Sequence, residues 1–233
     1  MNIGLSYSTQ PQMTSTEFLA FCDKLGVLLT DLRPDHGQVW EASPGDPFSA
    51  AGMVVMSLNT RIILGQGNAL DVLENLASAR RIQHRFLRVF LAKGATNTEV
   101  ARDIAALADA GYDSALLAIE THDGFAGVGR IAEIAERHMT PVIFDTLGLW
   151  KISGLDHIAQ IEALAGRAVA AHVKGFDVRP DGTTPHTAIG SGNWQWTTRV
   201  LRLLPKSCPI IIETRHHDIQ GDIQTLQGDW KDT

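Results

Sequence analysis

Cysteine is scarce, with two residues, Cys22 and Cys208, in a chain of 233. Two thiols cannot build a disulfide framework, and both read as buried free thiols of a reducing compartment. Long apolar runs are missing too. None reaches the ~18–20 residues a membrane helix requires. Met1-Asn-Ile-Gly-Leu-Ser lacks the basic segment and apolar run of a secretory leader, so a soluble, cytoplasmic protein with no membrane partner is expected. Nor is there a basic excess: 20 Lys and Arg face 26 Asp and Glu, a formal charge of −6. Polyanion binding needs clustered Lys and Arg to displace counterions, so no nucleic-acid partner is expected. At 44% hydrophobic and 20% charged, the composition excludes a disordered or fibrous chain.

What the sequence contains is alternation. Eight short apolar runs read as strands: Ile3–Tyr7, Val27–Leu32, Met53–Leu58, Phe86–Leu91, Ala115–Ile119, Val142–Phe144, Ala168–Val173 and Ile210–Ile212. None shows a clean two-residue polarity period, which marks strands buried on both faces of a parallel sheet. Helix openings fall between them. Thr14 with Glu17, and Thr96 with Glu99, have capping-box spacing. After the second, Val100, Ile104, Leu107 and Ala108 recur on one helical face. Asn68 with Asp71, Ser153 with Asp156, and Asn193 before Trp194–Leu204 are weaker openings. Ile131–Arg137 is a helical run stopped near Pro141.

Repeated βα units imply right-handed crossovers and a parallel sheet. Eight of them close into a (β/α)8 TIM barrel, with an open doubly wound sheet as the alternative. Residues 1–233 then form a single domain. So short a chain must have lean helices. Arg33-Pro-Asp-His-Gly and Ser43-Pro-Gly-Asp-Pro argue against a full helix after the second strand, and the polar tail after Glu213 argues against a last one.

Barrels place their chemistry where strands end at the carboxyl side. Here the fifth run ends in Glu120, the sixth in Asp145, the seventh carries His172, and the eighth ends in Glu213. Any one of these is explained as a polar residue where a strand meets solvent. Four on consecutive strands, spaced ~4.8 Å apart, instead suit convergence on one ion. Three carboxylates and one imidazole favour Mn²⁺, Mg²⁺ or Co²⁺ over structural zinc.

At these positions the sequence resembles a family. Ile119-Glu120-Thr-His122, Val142-Ile-Phe-Asp145-Thr, Ala171-His172-Val-Lys174, Ile189-Gly190-Ser-Gly192-Asn-Trp194 and Ile212-Glu213-Thr are similar, in order, to motifs of the xylose isomerase-like barrels. These include sugar isomerases and epimerases, inosose and dehydroshikimate dehydratases, and endonuclease IV-type repair enzymes. The resemblance covers roughly residues 112–215. It implies Glu120, Asp145, His172 and Glu213 as ligands of one divalent ion, with Zn²⁺ as a further option. It also implies Glu120 and Glu213 as the catalytic pair that exchanges protons with substrate through a metal-stabilised enediolate.

The sequence departs from the family in three places. Gly148 stands where the family often has His, Thr184 replaces the Asp of an Asp-x-His pattern that would end at His186, and Lys174 is followed by Gly175 with Asp177 two residues on. The resemblance then implies one metal rather than three.

His122, Lys174, Arg179, His186 and His36 are the candidate substrate contacts. For Lys174 and Arg179 the alternative is a solvated surface side chain, and for His122 a loop-stabilising role. Trp194 and Trp196 point to different sides of a helix, one of them into the core. His216 and His217 read as surface. Arg80, Arg81, Arg85 and Arg88 read as a solvated basic edge, because the fourth strand interrupts any shared helical face. The expected function is a metal-dependent isomerase or epimerase of a small sugar or polyhydroxylated keto compound, in carbohydrate metabolism, commonly assembled as a homodimer. A dehydratase, a non-catalytic sugar-binding barrel and, further off, a phosphodiesterase are the alternatives.

Overall fold

A computed structural model describes residues 2–34, 37–76, 80–153, 158–214 and 218–231. Eight parallel strands close into a barrel. In chain order they are β1 (Ile3–Ser6), β2 (Leu29–Leu32), β3 (Val54–Leu64), β4 (His84–Leu91), β5 (Leu117–Glu120), β6 (Val142–Asp145), β7 (Ala168–Val173) and β10 (Ile210–Ile212). Between β7 and β10 a two-stranded antiparallel hairpin, β8 (Gly175–Phe176) and β9 (His186–Thr187), stands apart from the barrel. β1 pairs with both β2 and β10, which closes the ring.

The helices are α1 (Ser15–Leu25), α2 (Pro47–Ala50), α3 (Ala69–Asn75), α4 (Asn97–Asp109), α5 (Val128–His138), α6 (Thr146–Ser153), α7 (Ile158–Ala165), α8 (Trp194–Leu201) and α9 (Ile219–Lys231). Both capping boxes form: the Thr14 hydroxyl accepts from Glu17 N–H at 3.2 Å while Glu17 Oε2 accepts from Thr14 N–H at 2.8 Å, and Thr96 with Glu99 repeats the pattern. Among the described residues no helix is long and apolar enough to cross a membrane. Cys22 and Cys208 are buried free thiols.

Both faces of the strands are buried, which is why no two-residue period shows in the sequence. Leu117, Ile119, Phe144 and Val173 join the main core. By strand alternation Ala118, Ile143 and Ala170 point the other way, and they form a separate small cluster with Phe86 and Val169. Small side chains are needed where eight strands crowd one axis. Gly4 is the limiting case, since an added Cβ would sit 2.3 Å from Ile211 Cδ1.

Several expectations are corrected. The tail does form a helix, α9: its apolar stripe is narrow, but Ile219, Ile223 and Leu226 are buried at helical spacing, and buried Asp222 accepts from Ile189 N–H at 2.8 Å. β3 runs on to Leu64, past an irregularity between Asn59 and Ile63. Asn68 does not cap α3 with its side chain, because its Oδ1 accepts from Ile63 N–H at 3.2 Å. Ser153 ends α6 rather than opening a helix, with its hydroxyl donating to Leu149 O; Asp156 lies outside the described residues. Asn193 makes no side-chain cap, and α8 stops at Leu201 rather than Leu204.

The lean stretch after β2 holds only a short 3₁₀ turn, Val39–Ala42, and the single turn α2. In place of a full helix, fully buried Trp40 and Phe48 pack against Tyr7 and against each other in edge contacts, with ring centroids 6.1 Å apart for Trp40 and Phe48, and Tyr7 in turn packs on Phe18.

Candidate functional site

The strand ends of β5, β6 and β7, and the residue after β10, bring Glu120, Asp145, His172 and Glu213 together at the carboxyl end of the barrel. One ligand atom from each lies within 4.8 Å of the others. The register produces this directly: Asp145 pairs with His172 across β6 and β7, and Ile211 pairs with His172 across β10 and β7. All four residues are buried.

The three carboxylates of this set, and a fourth, Asp31 on β2, are tolerable in burial only because cations meet them. Arg88 Nη1 lies 3.1 Å from Glu120 Oε2, with its guanidinium carbon 4.1 Å from the Phe90 ring centre. Lys174 Nζ lies 2.9 Å from Glu213 Oε2 and also pairs with Asp145, whose Oδ1 accepts from Gly148 N–H at 2.8 Å. Arg33 pairs with Glu213, and the Ser8 hydroxyl donates to Glu213 Oε1 at 3.3 Å. His172 stands between two acids, its Nδ1 2.7 Å from Glu120 Oε1 and its Nε2 2.9 Å from Asp31 Oδ2.

These contacts set the charge states. Burial pushes the Glu213 carboxyl up, but Lys174, then Arg33 and His172, overcome it and hold the group at about 2. Burial likewise opposes ionisation of Glu120, and Arg88 and His172 hold it well below the usual carboxylate range. For His172, burial favours the neutral ring, yet Asp31 and then Glu120 raise it to about 10. Lys174 is raised, its burial outweighed by Asp145 and Glu213. Arg88 is lowered by burial.

The four residues fit a divalent ion. Donors bound at ~2.0–2.6 Å must lie within about 5 Å of one another, as these do. The imidazole geometry fits as well. Asp31 holds Nε2 from behind, the carboxylate partner typical of a metal-bound histidine, and this leaves Nδ1 facing the cluster centre.

A cavity of about 240 Å³ opens above the cluster, and Arg33, His122, Lys174, His186 and Glu213 are among its walls. The structure therefore brings His122, Lys174 and His186 to the site. His122 rests against Phe90 and Phe125, and its Nδ1 lies 2.6 Å from the Asp123 carbonyl, so Nδ1 carries the hydrogen and Nε2 is left as acceptor. Arg179 is exposed in the loop that joins β8 to β9 and is not among the cavity walls. His36, His216 and His217 lie outside the described residues. Trp196 packs on Trp150 in the core while Trp194 reaches Asp229, as the two-sided reading expects.

Sequence reasoning missed Ser8, Asp31, Arg33 and Arg88. The basic-edge reading fails for Arg88, which points into the barrel and is 5% exposed, whereas Arg80 and Arg85 are exposed. The signal was present: a charge inside an apolar strand run, as in Leu-Thr-Asp31-Leu and Phe-Leu-Arg88-Val, demands a buried partner. Gly148 has a steric cause, since a Cβ there would lie 2.2 Å from Thr121 O and 2.9 Å from His122 Cα.

No protein-family model matches the sequence, and no curated protein does. Solved structures do. A xylose isomerase domain containing protein from Salmonella typhimurium LT2 aligns over 99% of this chain and 96% of its own, with 13% identity and a TM-score of 0.74. The IolI protein with a bound zinc atom aligns over 100% and 97%, with 12% identity and a TM-score of 0.71. Endonuclease IV from Thermus thermophilus aligns over 100% of both chains, with 15% identity and a TM-score of 0.67. Identities this low speak to the fold alone, and the fold of this chain is the closed (β/α)8 barrel of the xylose isomerase-like proteins.

Proposed function

We propose that this chain is a divalent-cation-dependent isomerase or epimerase that moves a proton next to the carbonyl of a small polyhydroxylated keto compound. The observation that carries the reading is the convergence of Glu120, Asp145, His172 and Glu213 beside a cavity at the barrel mouth. These four side chains would hold the ion, which supplies Lewis acidity to the substrate's oxygens and lowers the cost of an adjacent carbanion.

The chain's own groups do the rest. Glu213 borders the cavity in its ionised form, so it is the carboxylate placed to take a proton from substrate. A carboxyl held at about 2 is a weak base. Its basicity rises when a substrate oxygen draws the Lys174 ammonium away from Oε2, because Lys174 is the strongest of the influences holding it down. Glu120, ionised on β5 beside His172, is the second carboxylate that can return the proton. His122 offers Nε2 to a substrate hydroxyl from the opposite wall.

The test is metal content after chelation and reloading with Mn²⁺, for the wild type, Glu213→Gln and His172→Ala, followed by proton exchange in D₂O over a panel of ketoses and cyclic polyol ketones. One ion per chain, weakened in both variants, with deuterium entering at the carbon beside a carbonyl, is the expected result. A protein that takes up no ion specifically ends the reading. Uptake of two or three zinc ions per chain points instead to the phosphodiesterase chemistry set aside on composition.

A further inference from the structure

We propose that the substrate is a small monoanion, a hydroxy-keto acid whose carboxylate is held between Arg33 and Lys174. This rests on the reading of the site given above and names the substrate class that reading leaves open. The cavity, about 240 Å³, falls below the ~300–1,000 Å³ of pockets that take drug-sized ligands, so its occupant has few heavy atoms. Its walls are lopsided in charge. Arg33 and Lys174 line it, His122 and His186 add imidazoles, and Glu213 is the one acid among the described wall residues. That acid is already met by both cations and by Ser8.

The hydrogen-bonding inventory points the same way. Each buried acid of the site, Asp31, Glu120, Asp145 and Glu213, has a cation or imidazole at ion-pair distance. Arg33, a wall residue of the cavity, has its Nε buried without an acceptor, and so, outside the cavity walls, do Arg88 Nε and Asn59 Nδ2. Among the oxygens that make no hydrogen bond, Glu213 Oε2 already faces Lys174 and Asp31 Oδ2 already faces His172, and Asp31 is not a wall residue. Among the described residues of the cavity wall, the group that lacks a partner is therefore the Arg33 guanidinium, at its Nε. A sugar hydroxyl brings a donor with its acceptors, whereas a carboxylate brings only acceptors, and its two oxygens match the fork of an arginine. One charge fits better than two, because Arg33 and Lys174 already share Glu213, and a dianion would crowd that carboxylate. The rest of the molecule favours the same class. On a chain of net charge −6, cations gathered at one mouth steer a small anion there and away from other surfaces.

The test is calorimetric titration of the metal-stripped full chain at low ionic strength with glycerate, glycerol and glycerol phosphate. The first two share a three-carbon frame with and without the carboxylate. Glycerate is expected to bind at one site, at least about tenfold tighter than glycerol. Arg33→Met removes that preference, while Arg137→Gln, on the exposed face of α5, keeps it. Equal affinity for glycerate and glycerol overturns the inference, as does tighter binding of glycerol phosphate, or a preference that survives in folded Arg33→Met. If Arg33→Met does not fold, Arg33→Lys replaces it: lost glycerate affinity supports the arginine fork, and unchanged affinity overturns it. With no metal present, the two readings separate. Glycerate preference in a chain that takes up no ion leaves the anion site standing and removes the proton-transfer reading, and the reverse pattern does the opposite.

Discussion

The two halves of the barrel meet at one mouth with opposite contributions. From β5 round to β10, the strand ends carry three carboxylates and an imidazole, with Lys174 the cation paired with them among the described residues. From β1 to β4, the same level carries Ser8 and Asp31 but also Arg33 and Arg88, which reach across to Glu213 and Glu120. Neither half is viable alone. The first would repel itself, and the second would bury cations without partners. A ligand set that looks complete on one side of a barrel is held in its ionised state from the other side.

Cutting that link at its most buried point should have the largest effect. Arg88→Met leaves Glu120 buried without its cation, and loss of one partner of a buried pair costs about 3–5 kcal/mol. Chemical denaturation should show that loss, and a change under about 1 kcal/mol would mean the halves are electrostatically independent. His172→Ala removes a side chain that both halves hold, through Asp31 on β2 and Glu120 on β5. Its Mn²⁺ affinity should fall beyond the ~100-fold ceiling of an orienting partner, measured by competition with a fluorescent chelator.

Asp31→Asn sharpens the comparison from the β1–β4 side. It keeps the shape and removes only the charge behind Nε2, so the fold and the count of one ion per chain should survive while affinity drops by about 10–100-fold. Unchanged affinity would make Asp31 a bystander. The smallest effect is in pH. His172, raised from 6.5 to about 10, contributes stability to the metal-free chain below pH 6.5, and that stability is lost as pH rises through about 10. A metal needs the neutral ring, so Mn²⁺ binding near pH 7.5 should release about one proton, and its stabilising effect should grow with pH. Thermal melts with and without chelator across pH 6.5–10 check both, and a metal-free melting point that rises over that range would contradict the assignment.

Legibility followed the same division. Glu120, Asp145 and Glu213 stand out because each ends an apolar run, and the eight runs are themselves visible since most residues on both faces of the strands are buried. Asp31 and Arg88 sit inside their runs, where a charge looks like noise until a partner on another strand is known. Arg33 follows β2 in a stretch that reads as loop, and what fixes it in place is tertiary. The α9 helix was hidden for a related reason: three buried aliphatics and one buried Asp are too few to mark thirteen residues as amphipathic. Long-range pairing, not local propensity, is what the sequence alone withholds.

Gly148 carries a lesson about lineage. The Thr121 carbonyl and the His122 Cα occupy the space its side chain would need. A related barrel with any larger residue at the corresponding position must therefore route the segment between β5 and α5 along a different path. In this chain the first turn of α6 and the segment after β5 can change only together, so a mutational library that varies position 148 alone will return mostly damaged proteins, and one that varies it jointly with 121–125 is where altered specificity can be sought.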